Sequence, residues 1–423
     1  MKKKKVLMVM RLYTGLETSL ETGEWRPEGV PTVYNFINKA SKNFDLKLLL
    51  TCKDSGKTYI SGWKKEHDQI CILHGLAAPV IALAGTSYFG NILPRKIAMV
   101  LRDLRHLYKI VYFVWSEKPD LIYCDGANVT FAYCLSKMFP KTPIVLRLLG
   151  ICSFLRGLPD ATRFVHRIYK LAFNGRFSIA IGTQDGTGTE YFFERMLNKS
   201  VPRCVLLNGT DDGKPFPDLE KTLPNGWTAS ASQYTTVLFV GRIEADKGIR
   251  VFVEAVLSVL SKGVSSVRAI IVGSGSLFDE VKQKVARSGY EENFLFTGSV
   301  PHAHIIGFHF LSDIYVSTNS DGNLTNANLE AIAANACMIV PAPQHEKHID
   351  VKTTEYLADA VSYFEHDDPN DLKDKILHLV NNPHEIAQQS RRLATKKKSF
   401  MRSWDERVQA EIQILDTILS QEV

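Results

Sequence analysis

The stretch VLFVGRIEADKGIRVFVEAV, residues 237–256, decides the fold of this chain. It begins with four apolar residues, which predict a buried parallel strand, and it ends with apolar residues at helical spacing. Gly241 and Arg242 follow the strand directly, while Lys247 and Gly248 come just before the helix. The pattern predicts a guanidinium, an ammonium and helix N–H groups around one small volume, which suits a diphosphate. A solvated charged loop is the alternative, and composition alone does not decide between the two.

The same alternation of short apolar runs and helical patterns extends in both directions from this stretch. Strand-like runs lie at 5–10, 46–50, 120–124, 143–149, 177–182, 204–209, 267–273, 293–298, 314–318 and 337–342. The segment after Asp211 is rich in Pro, Gly, Ser and Asp, which is typical of a linker. The sequence therefore predicts an α/β protein with two doubly wound, Rossmann-like domains, at 1–212 and 236–398, joined by a linker at 213–235. Ligands of such sheets bind beyond the C-terminal ends of the strands.

Composition places the chain among ordinary globular proteins. It has 423 residues, of which 45% are hydrophobic, and a formal net charge of +6. That charge suits a phosphorylated ligand or an anionic membrane surface but is too small to indicate nucleic acid, so no nucleic-acid partner is predicted. The chain has seven cysteines, an odd number that cannot all pair within the chain, and none of them form a CxxC motif. This pattern predicts reduced thiols and a cytoplasmic location.

Residues 71–110 have an unusual apolar and basic character. No Lys, Arg, Asp or Glu occurs from Cys71 to Leu93, a length that could span a bilayer, although Gly75, Pro79 and two further glycines interrupt it. The next stretch predicts an amphipathic, basic helix. Its apolar positions are Ile97, Val100, Leu101, Leu104 and Leu107 or Tyr108. These side chains either face the core or contact an anionic membrane as a peripheral surface, and the sequence leaves both possibilities open.

Several motifs of other protein classes are incomplete. The sequence SGKT (55–58) lacks the first glycine of a phosphate-binding loop, and the glycine-rich turns at 182–188 and 272–278 do not complete GxGxxG. No Asp-x-Asp pair is present, and the histidine pairs 302/304 and 345/348 lack metal-ligand spacing. The sequence predicts no metal site.

A second candidate phosphate loop lies in STNSDGNLTNANLEAIAANA, residues 317–336. A strand ends in a loop of Ser, Asn, Asp and Gly, and a helix is predicted to start near Asn326, with Glu330 in its first turn. The loop N–H groups suit phosphate, and Glu330 could accept hydrogen bonds from ribose hydroxyls. Alternatively, Glu330 merely interacts favourably with the helix dipole.

Four motifs in order resemble glycosyltransferase family 4, the retaining transferases with GT-B architecture. They are VLFVGRIEADKGIRVFVEA, AIIVGSGSLFDEV, FLFTG and SDGNLTNANLEAIA. Looser similarity covers the first strand, the helix start after Gly29, PIVLRLLG, VLLNGTD (205–211) and SWDERVQAEIQIL. The resemblance implies two domains that face a cleft, with a C-terminal helix, about 399–423, that returns to the N-terminal domain. That N-terminal domain would bind the acceptor, and the C-terminal domain would bind the donor.

The resemblance also implies roles for individual residues. Arg242 and Lys247 would bind the donor diphosphate and stabilise it as the leaving group, without a metal or other cofactor. Glu330 would bind the ribose. The remaining donor-binding positions would be Gly29, Gly241, Gly273, Asp321, Gly322, Asn323, Leu324 and Thr325.

Two positions depart from the family pattern. Gly322 stands where the family has the first of two glutamates, with Asp321 adjacent as a replacement. Leu149 stands where the family often has a histidine, and Asp125 and Arg147 are weak candidates to compensate. The predicted function is metal-independent transfer of a sugar from a UDP- or GDP-type donor to a glycan or lipid-linked acceptor in polysaccharide synthesis. A non-catalytic nucleotide-sugar binding subunit and a sugar-nucleotide epimerase remain alternatives.

Overall fold

A computed structural model describes residues 3–53, 63, 65–89, 92–211, 223–224, 227 and 233–421. The SGKT sequence and most of the predicted linker lie outside these residues. The chain forms two compact units. The N-terminal unit comprises Met1–Thr183, Thr189–Leu206 and Trp404–Val423, and the C-terminal unit comprises Gln184–Gly188 and Leu207–Ser403.

The N-terminal unit is built on an eight-stranded sheet in the order β3-β4-β2-β1-β5-β6-β7-β8. Strands β4, β2, β1, β5, β6 and β7 pair in parallel, whereas β3 pairs antiparallel with β4. Buried apolar residues in nearly continuous runs explain why these segments form central strands. The strands are Lys5–Arg11 (β1), Asp45–Thr51 (β2), Gln69–Ile72 (β3), Pro79–Leu83 (β4), Leu121–Asp125 (β5), Ile144–Leu148 (β6), Ile179–Gln184 (β7) and Arg203–Leu207 (β8).

Helices cover both faces of this sheet and enclose two apolar cores. They are Glu17–Thr22 (α1), Pro31–Asn43 (α2), Arg95–Glu117 (α3), Val129–Met138 (α4), Ser153–Arg156 (α5), Phe164–Phe173 (α6), Thr189–Met196 (α7) and, from the end of the chain, Trp404–Ser420 (α15). Short 3-10 turns occur at Thr14–Leu16, Thr86–Phe89 and Gly126–Asn128. Helices α2 and α15 pack on one core, while α3, α4, α6 and α7 pack on the other.

The returning C-terminal helix is confirmed, and a buried charged cluster holds it. Glu411 lies 2.8 Å from Arg407 and 3.3 Å from Arg147, and it accepts a 2.5 Å hydrogen bond from the Tyr123 hydroxyl. All of these groups are almost completely buried. The two guanidinium groups lower the pKa of Glu411 against the opposing effect of burial. Glu411 therefore connects the last helix to β5 through a hydrogen bond and to β6 through an ion pair.

In the described part of the apolar run 71–93, residues 71–89 form the end of β3, strand β4 and a 3-10 turn instead of one helix. Among the described residues, none of the helices is long and apolar enough to cross a membrane. The predicted cytoplasmic location stays a prediction.

Of the two orientations that the sequence left open for the apolar stripe of the next helix, the core-facing one does not hold. Helix α3 buries Ala98, Arg102, His106, Ile110 and Val114, whereas most of the stripe, Ile97, Val100, Leu101 and Leu104, is exposed. Periodicity identifies a stripe on a helix, but it does not determine which side the sheet covers. Here Nε2 of His106 donates a 2.8 Å hydrogen bond to the Ala84 carbonyl, and Arg102 pairs with Asp103, so polar groups occupy part of the sheet-facing side.

The C-terminal unit contains a six-stranded parallel sheet in the order β11-β10-β9-β12-β13-β14. Its strands are Thr235–Val240 (β9), Val267–Val272 (β10), Phe294–Gly298 (β11), Ile314–Val316 (β12), Cys337–Pro341 (β13) and Ser362–Phe364 (β14). Five of them correspond to predicted strands. The sixth, β14, is a three-residue edge strand that the pattern missed.

Helices flank this sheet on two apolar cores. They are Ile249–Ser261 (α8), Phe278–Ser288 (α9), His302–Phe310 (α10), Asn326–Ala333 (α11), Val351–Leu357 (α12), Pro369–Asn381 (α13) and Pro383–Lys396 (α14). Short 3-10 turns lie at Ala245–Lys247, Glu291–Asn293, His345–Lys347, Ala358–Ala360 and Lys397–Ser399. The loops that follow β9, β10 and β12 leave the same edge of the sheet, where the predicted site residues of this unit lie.

Candidate functional site

The loop after β9 makes a tight turn into α8. Strand β9 ends before Gly241, the 3-10 turn ends at Lys247, and α8 begins at Ile249. Gly248 has φ +67°, and a Cβ there would lie 2.3 Å from the carbonyl oxygen of Thr318. Only glycine fits this close approach without strain. The turn is therefore packed against the loop that follows β12.

Lys247 joins the two loops that the sequence singled out separately. Its ammonium donates a 3.1 Å hydrogen bond to Oδ1 of Asn319, and its carbonyl oxygen accepts a 2.7 Å bond from the Thr318 hydroxyl. The Ser320 hydroxyl donates to the carbonyl of Asp246 at 3.4 Å. The ammonium is thereby held beside the polar loop 317–326.

Arg242 lies at the end of β9 with about half of its side chain exposed. Its guanidinium is 3.5 Å from the carboxylate of Asp246, which also lies 3.7 Å from the Lys247 ammonium. Such exposed ion pairs are weak, typically ~0–1 kcal/mol. A diphosphate, which carries more charge and more acceptor oxygens, can displace the Asp246 carboxylate from both cations.

A buried network holds the backbone of the second loop. Asn323 donates from its backbone N–H and its side-chain amide to the carboxylate of Asp350, at 2.7 and 2.6 Å. Its Oδ1 accepts a 2.8 Å bond from the Ser317 hydroxyl. Gly322 has φ +135°, a conformation that favours glycine, and its carbonyl accepts from the Asn319 side chain. These hydrogen bonds fix the shape of the loop.

The segment Gln184–Gly188 completes this network, and sequence reasoning did not find its role. The carbonyl of Asp185 accepts a 3.1 Å bond from the N–H of Leu324, and the carbonyl of Gly186 accepts a 2.8 Å bond from the N–H of Asp350. Burial, with a smaller contribution from Asp350, raises the pKa of Asp185 to about 6. The glycine-rich turn at 182–188 was the available signal, because a Cβ on Gly186 would lie 2.2 Å from Asp350 Oδ1.

Helix α11 starts at Asn326, as predicted. The Thr325 hydroxyl caps it by accepting a 3.4 Å bond from the N–H of Asn328. Asn208, in the segment that resembles the family's NG-x-D, donates a 2.8 Å bond to the Asn326 side chain. Glu330 was predicted in the first turn, but it is the fifth residue of the helix, and the first turn contains no acidic residue. An interaction with the helix N-terminus therefore does not explain Glu330.

Glu330 instead contacts His302, one of the histidines that lack metal-ligand spacing in the sequence. Nε2 of His302, the first residue of α10, lies 2.7 Å from Oε1 of Glu330. The hydrogen bond to Glu330 raises the pKa of His302, against the lowering effect of partial burial. The Glu330 carboxylate is mostly buried and is held in position by this contact.

Gly273, at the end of β10, sets the spacing between neighbouring strand ends. Its φ is +134°, and a Cβ would lie 1.9 Å from the carbonyl oxygen of Gly241. The N–H of Gly273 donates to Gly298, and the N–H of Gly241 donates to Val272. Glycine at this turn therefore has a steric reason. The predicted role of Gly273 in donor binding stays a prediction.

Three predicted residues belong to the N-terminal unit. Gly29 has φ +88° and precedes α2. Asp125 caps the turn after β5 and accepts hydrogen bonds from the backbone of Asn128 and Arg11, at 3.1 and 2.9 Å. Arg147 pairs with Glu411 and donates to the Thr183 hydroxyl at 2.8 Å. Asp125 and Arg147 therefore serve the structure of their own unit, and their candidate role in donor binding stays a prediction.

No group of three or more His, Cys, Asp and Glu side chains that could hold a metal ion occurs in the described part of the chain. The prediction that no metal is required stays a prediction.

Comparisons with known proteins agree with this geometry. Residues 234–382, within the C-terminal unit, match the family model described as glycosyl transferases group 1. The resemblance to glycosyltransferases inferred from the sequence is confirmed for these residues, and family 4 itself stays a prediction. No curated protein matches the chain by sequence.

Similar solved structures cover the whole chain. Sucrose-phosphate synthase from Thermosynechococcus elongatus is 12% identical with a TM-score of 0.70, and the match covers 99% of this chain and 100% of that protein. HepE of Anabaena, solved in complex with UDP, is 17% identical with a TM-score of 0.67, and the coverage is 98% and 100%. A glycosyltransferase from Rickettsia africae is 13% identical with a TM-score of 0.60, and the match covers 99% of each chain. The chain has the GT-B fold.

Proposed function

We propose that this protein is a retaining glycosyltransferase that moves a sugar from a nucleoside-diphosphate sugar to a glycan or lipid-linked acceptor. The observation that carries the proposal is the contact between Lys247 and Asn319, because it joins the cationic loop to the polar loop 317–326. The family match over residues 234–382 supports sugar transfer as the reaction class.

The donor diphosphate would lie between Arg242, Lys247 and the N–H groups at Thr325 and the start of α11, because the N–H groups of Asn323 and Leu324 already donate to Asp350 and Asp185. Cations and a helix start on one edge of a parallel sheet suit two adjacent phosphates. Glu330, held by His302, would accept hydrogen bonds from the ribose hydroxyls. Because structures of HepE are described in complex with UDP and with UDP-glucose, a uridine donor is the first one to test.

The proposed mechanism depends on the negative charge that develops on the departing diphosphate. As the bond to the anomeric carbon breaks, negative charge accumulates on the departing diphosphate, and Arg242 and Lys247 would stabilise it. Preorganised donors of this kind are typically worth ~3–4 kcal/mol each in a transition state. These two cations would replace a metal ion. Attack by the acceptor hydroxyl on the face that the diphosphate leaves would retain the configuration of the sugar.

One observation favours a second candidate, a non-catalytic nucleotide-sugar binding subunit. Gly322 and Leu149 stand where the resembled family has a glutamate and often a histidine. Arg242, Lys247 and Glu330 are present, which favours the enzyme. An epimerase, the third possibility, would interconvert donors without any acceptor.

A thermal-shift panel of UDP-, GDP- and ADP-sugars tests donor binding. A donor that binds only the folded protein stabilises it by ~2.7 kcal/mol at one hundred times its Kd. We expect one nucleotide class to raise the Tm of the wild-type chain and to lose this effect in Lys247→Ala. If no nucleotide sugar raises the Tm, the donor site is refuted. Binding without hydrolysis or transfer above background would identify the binding subunit instead.

A further inference from the structure

Helix α3 exposes an unusually apolar outer face. Ile97, Val100, Leu101, Leu104, Tyr108, Tyr112 and Trp115 are all exposed, with Leu104 at 59% and Trp115 at 68%. At 100° per residue they occupy the side of the helix opposite Arg102, His106 and Ile110, which face the sheet. The polarity expected of a surface helix is therefore reversed, since polar groups are buried and large apolar groups face outward.

Helix α6 also exposes large apolar side chains. Phe164, Val165, Ile168 and Leu171 are exposed, with Phe164 at 75%, whereas Ala172 and Phe173 are buried. Both helices pack on the same core. Because both helices cover the same face of the sheet, their outward sides lie on the same side of the N-terminal unit.

Together these eleven side chains, which we call the apolar face, exceed what a monomeric protein normally leaves in water. A contiguous exposed patch of more than a few hundred Å² generally marks a protein or membrane interface. Exposing eleven large side chains by about half corresponds to on the order of 1,000 Å². Something apolar is therefore expected to cover this face.

The charges around the apolar face are mostly basic. Helix α6 and the residue before it contain Arg163, Arg167 and Lys170 and no acidic residue. At the start of α3, Arg95 and Lys96 are exposed. Trp and Tyr side chains, as at 108, 112 and 115, are enriched where protein meets the headgroup level of a bilayer.

We propose that the apolar face of α3 and α6 docks the protein on the surface of an anionic bilayer. The apolar side chains enter the boundary between headgroups and acyl chains, while the flanking Lys and Arg contact lipid phosphates. In a dimer formed through this face, like basic rims would come together, which disfavours a second copy as the occupant. The inference stands independently of the proposed transferase activity.

Vesicle co-sedimentation of the full chain tests the docking. We expect binding to phosphatidylcholine vesicles that contain phosphatidylglycerol, weaker binding to phosphatidylcholine alone, and a decrease with salt. Leu104→Glu and Phe164→Glu should each weaken binding about tenfold or more, because a carboxylate enters the apolar boundary. The fluorescence of Trp115 should shift to shorter wavelength on binding, and Trp115→Phe should remove that shift.

Phe310→Glu is the matched control, since Phe310 is 51% exposed on α10 of the other unit. It should leave vesicle binding unchanged. Circular dichroism and Tm check that each variant is folded. The inference is overturned if Leu104→Glu and Phe164→Glu bind vesicles like the wild type. It is equally overturned if sedimentation velocity shows a dimer that Leu104→Glu dissociates, because the apolar face would then belong to a protein interface.

Discussion

Lys247 is the residue that best connects sequence to function. Its position before Gly248 is readable from the sequence, and the structure adds that its ammonium contacts Asn319, 72 residues further along the chain. Arg242, five residues earlier, is more exposed and pairs with Asp246. The two cations thus differ in how firmly they are held, and Lys247 is the better preorganised of the two.

His302 gives a prediction about pH. Glu330 raises its pKa above the ordinary value near 6.5, so their attraction is fully present below that value and is lost as pH rises through the raised pKa. We expect the stability difference between wild type and His302→Gln to shrink as pH rises from 6 through the raised pKa of His302. Because His302 is more than half exposed, the effect should stay below ~1 kcal/mol.

Urea unfolding at several pH values measures this difference. His384→Gln, at an exposed histidine of the same unit, is the control and should change stability equally at every pH. A pH-independent effect of His302→Gln would show that the contact with Glu330 does not form in solution.

At the scale of elements, strands were predicted better than helix orientation. Continuous apolar runs identified β1, β2, β5–β8 and β9–β13, because buried parallel strands need apolar residues on both faces. The run 71–93 was ambiguous, since an apolar segment without charges fits a helix, a strand or a membrane span equally well. The sequence left the orientation of α3 open, because the burial of His106 depends on its hydrogen bond to the Ala84 carbonyl, which only the fold brings into place.

A substitution at Gly273 tests how close the ends of β9 and β10 must lie to each other. Gly273→Ala would place a Cβ 1.9 Å from the Gly241 carbonyl at φ +134°. We expect the C-terminal unit to lose more than ~1 kcal/mol of stability and the donor to bind more weakly, because the loop that contains Arg242 must move.

Gly263→Ala is the control for backbone strain alone. Gly263 also has positive φ, +85°, but a Cβ there would meet nothing within 4 Å. Thermal unfolding and donor titration of both variants separate the two effects. Equal losses in both variants would mean that the contact with Gly241 is unimportant.

At the scale of the whole molecule, each unit includes a segment that is separated from the rest of that unit along the chain. The last helix belongs to the N-terminal unit, and Gln184–Gly188 belongs to the C-terminal unit. The family resemblance predicted that the last helix returns to the N-terminal unit. The position of Gln184–Gly188 in the C-terminal unit could not be predicted, because it depends on hydrogen bonds from Leu324 and Asp350 that a single sequence does not reveal.

Glu411 tests how far the last helix stabilises the N-terminal unit. Glu411→Ala would leave the guanidinium groups of Arg147 and Arg407 buried without their anion, at a cost of ~3–5 kcal/mol. Denaturant unfolding should show this loss, whereas Gln413→Ala, at an exposed position of the same helix, should change little. A loss below ~1 kcal/mol for Glu411→Ala would contradict the assigned role of the cluster.

The central claim is that Lys247 and Arg242 stabilise the departing diphosphate of a nucleotide sugar. Its most direct test is the rate at which the wild type, Lys247→Ala and Lys284→Ala release nucleoside diphosphate from the donor that binds best. Lys284 is an exposed lysine of α9 that pairs with Glu254, so its loss should leave the rate within about twofold. We predict that Lys247→Ala lowers kcat/KM by about 100-fold or more while the protein stays folded. Unchanged turnover in Lys247→Ala would contradict the account.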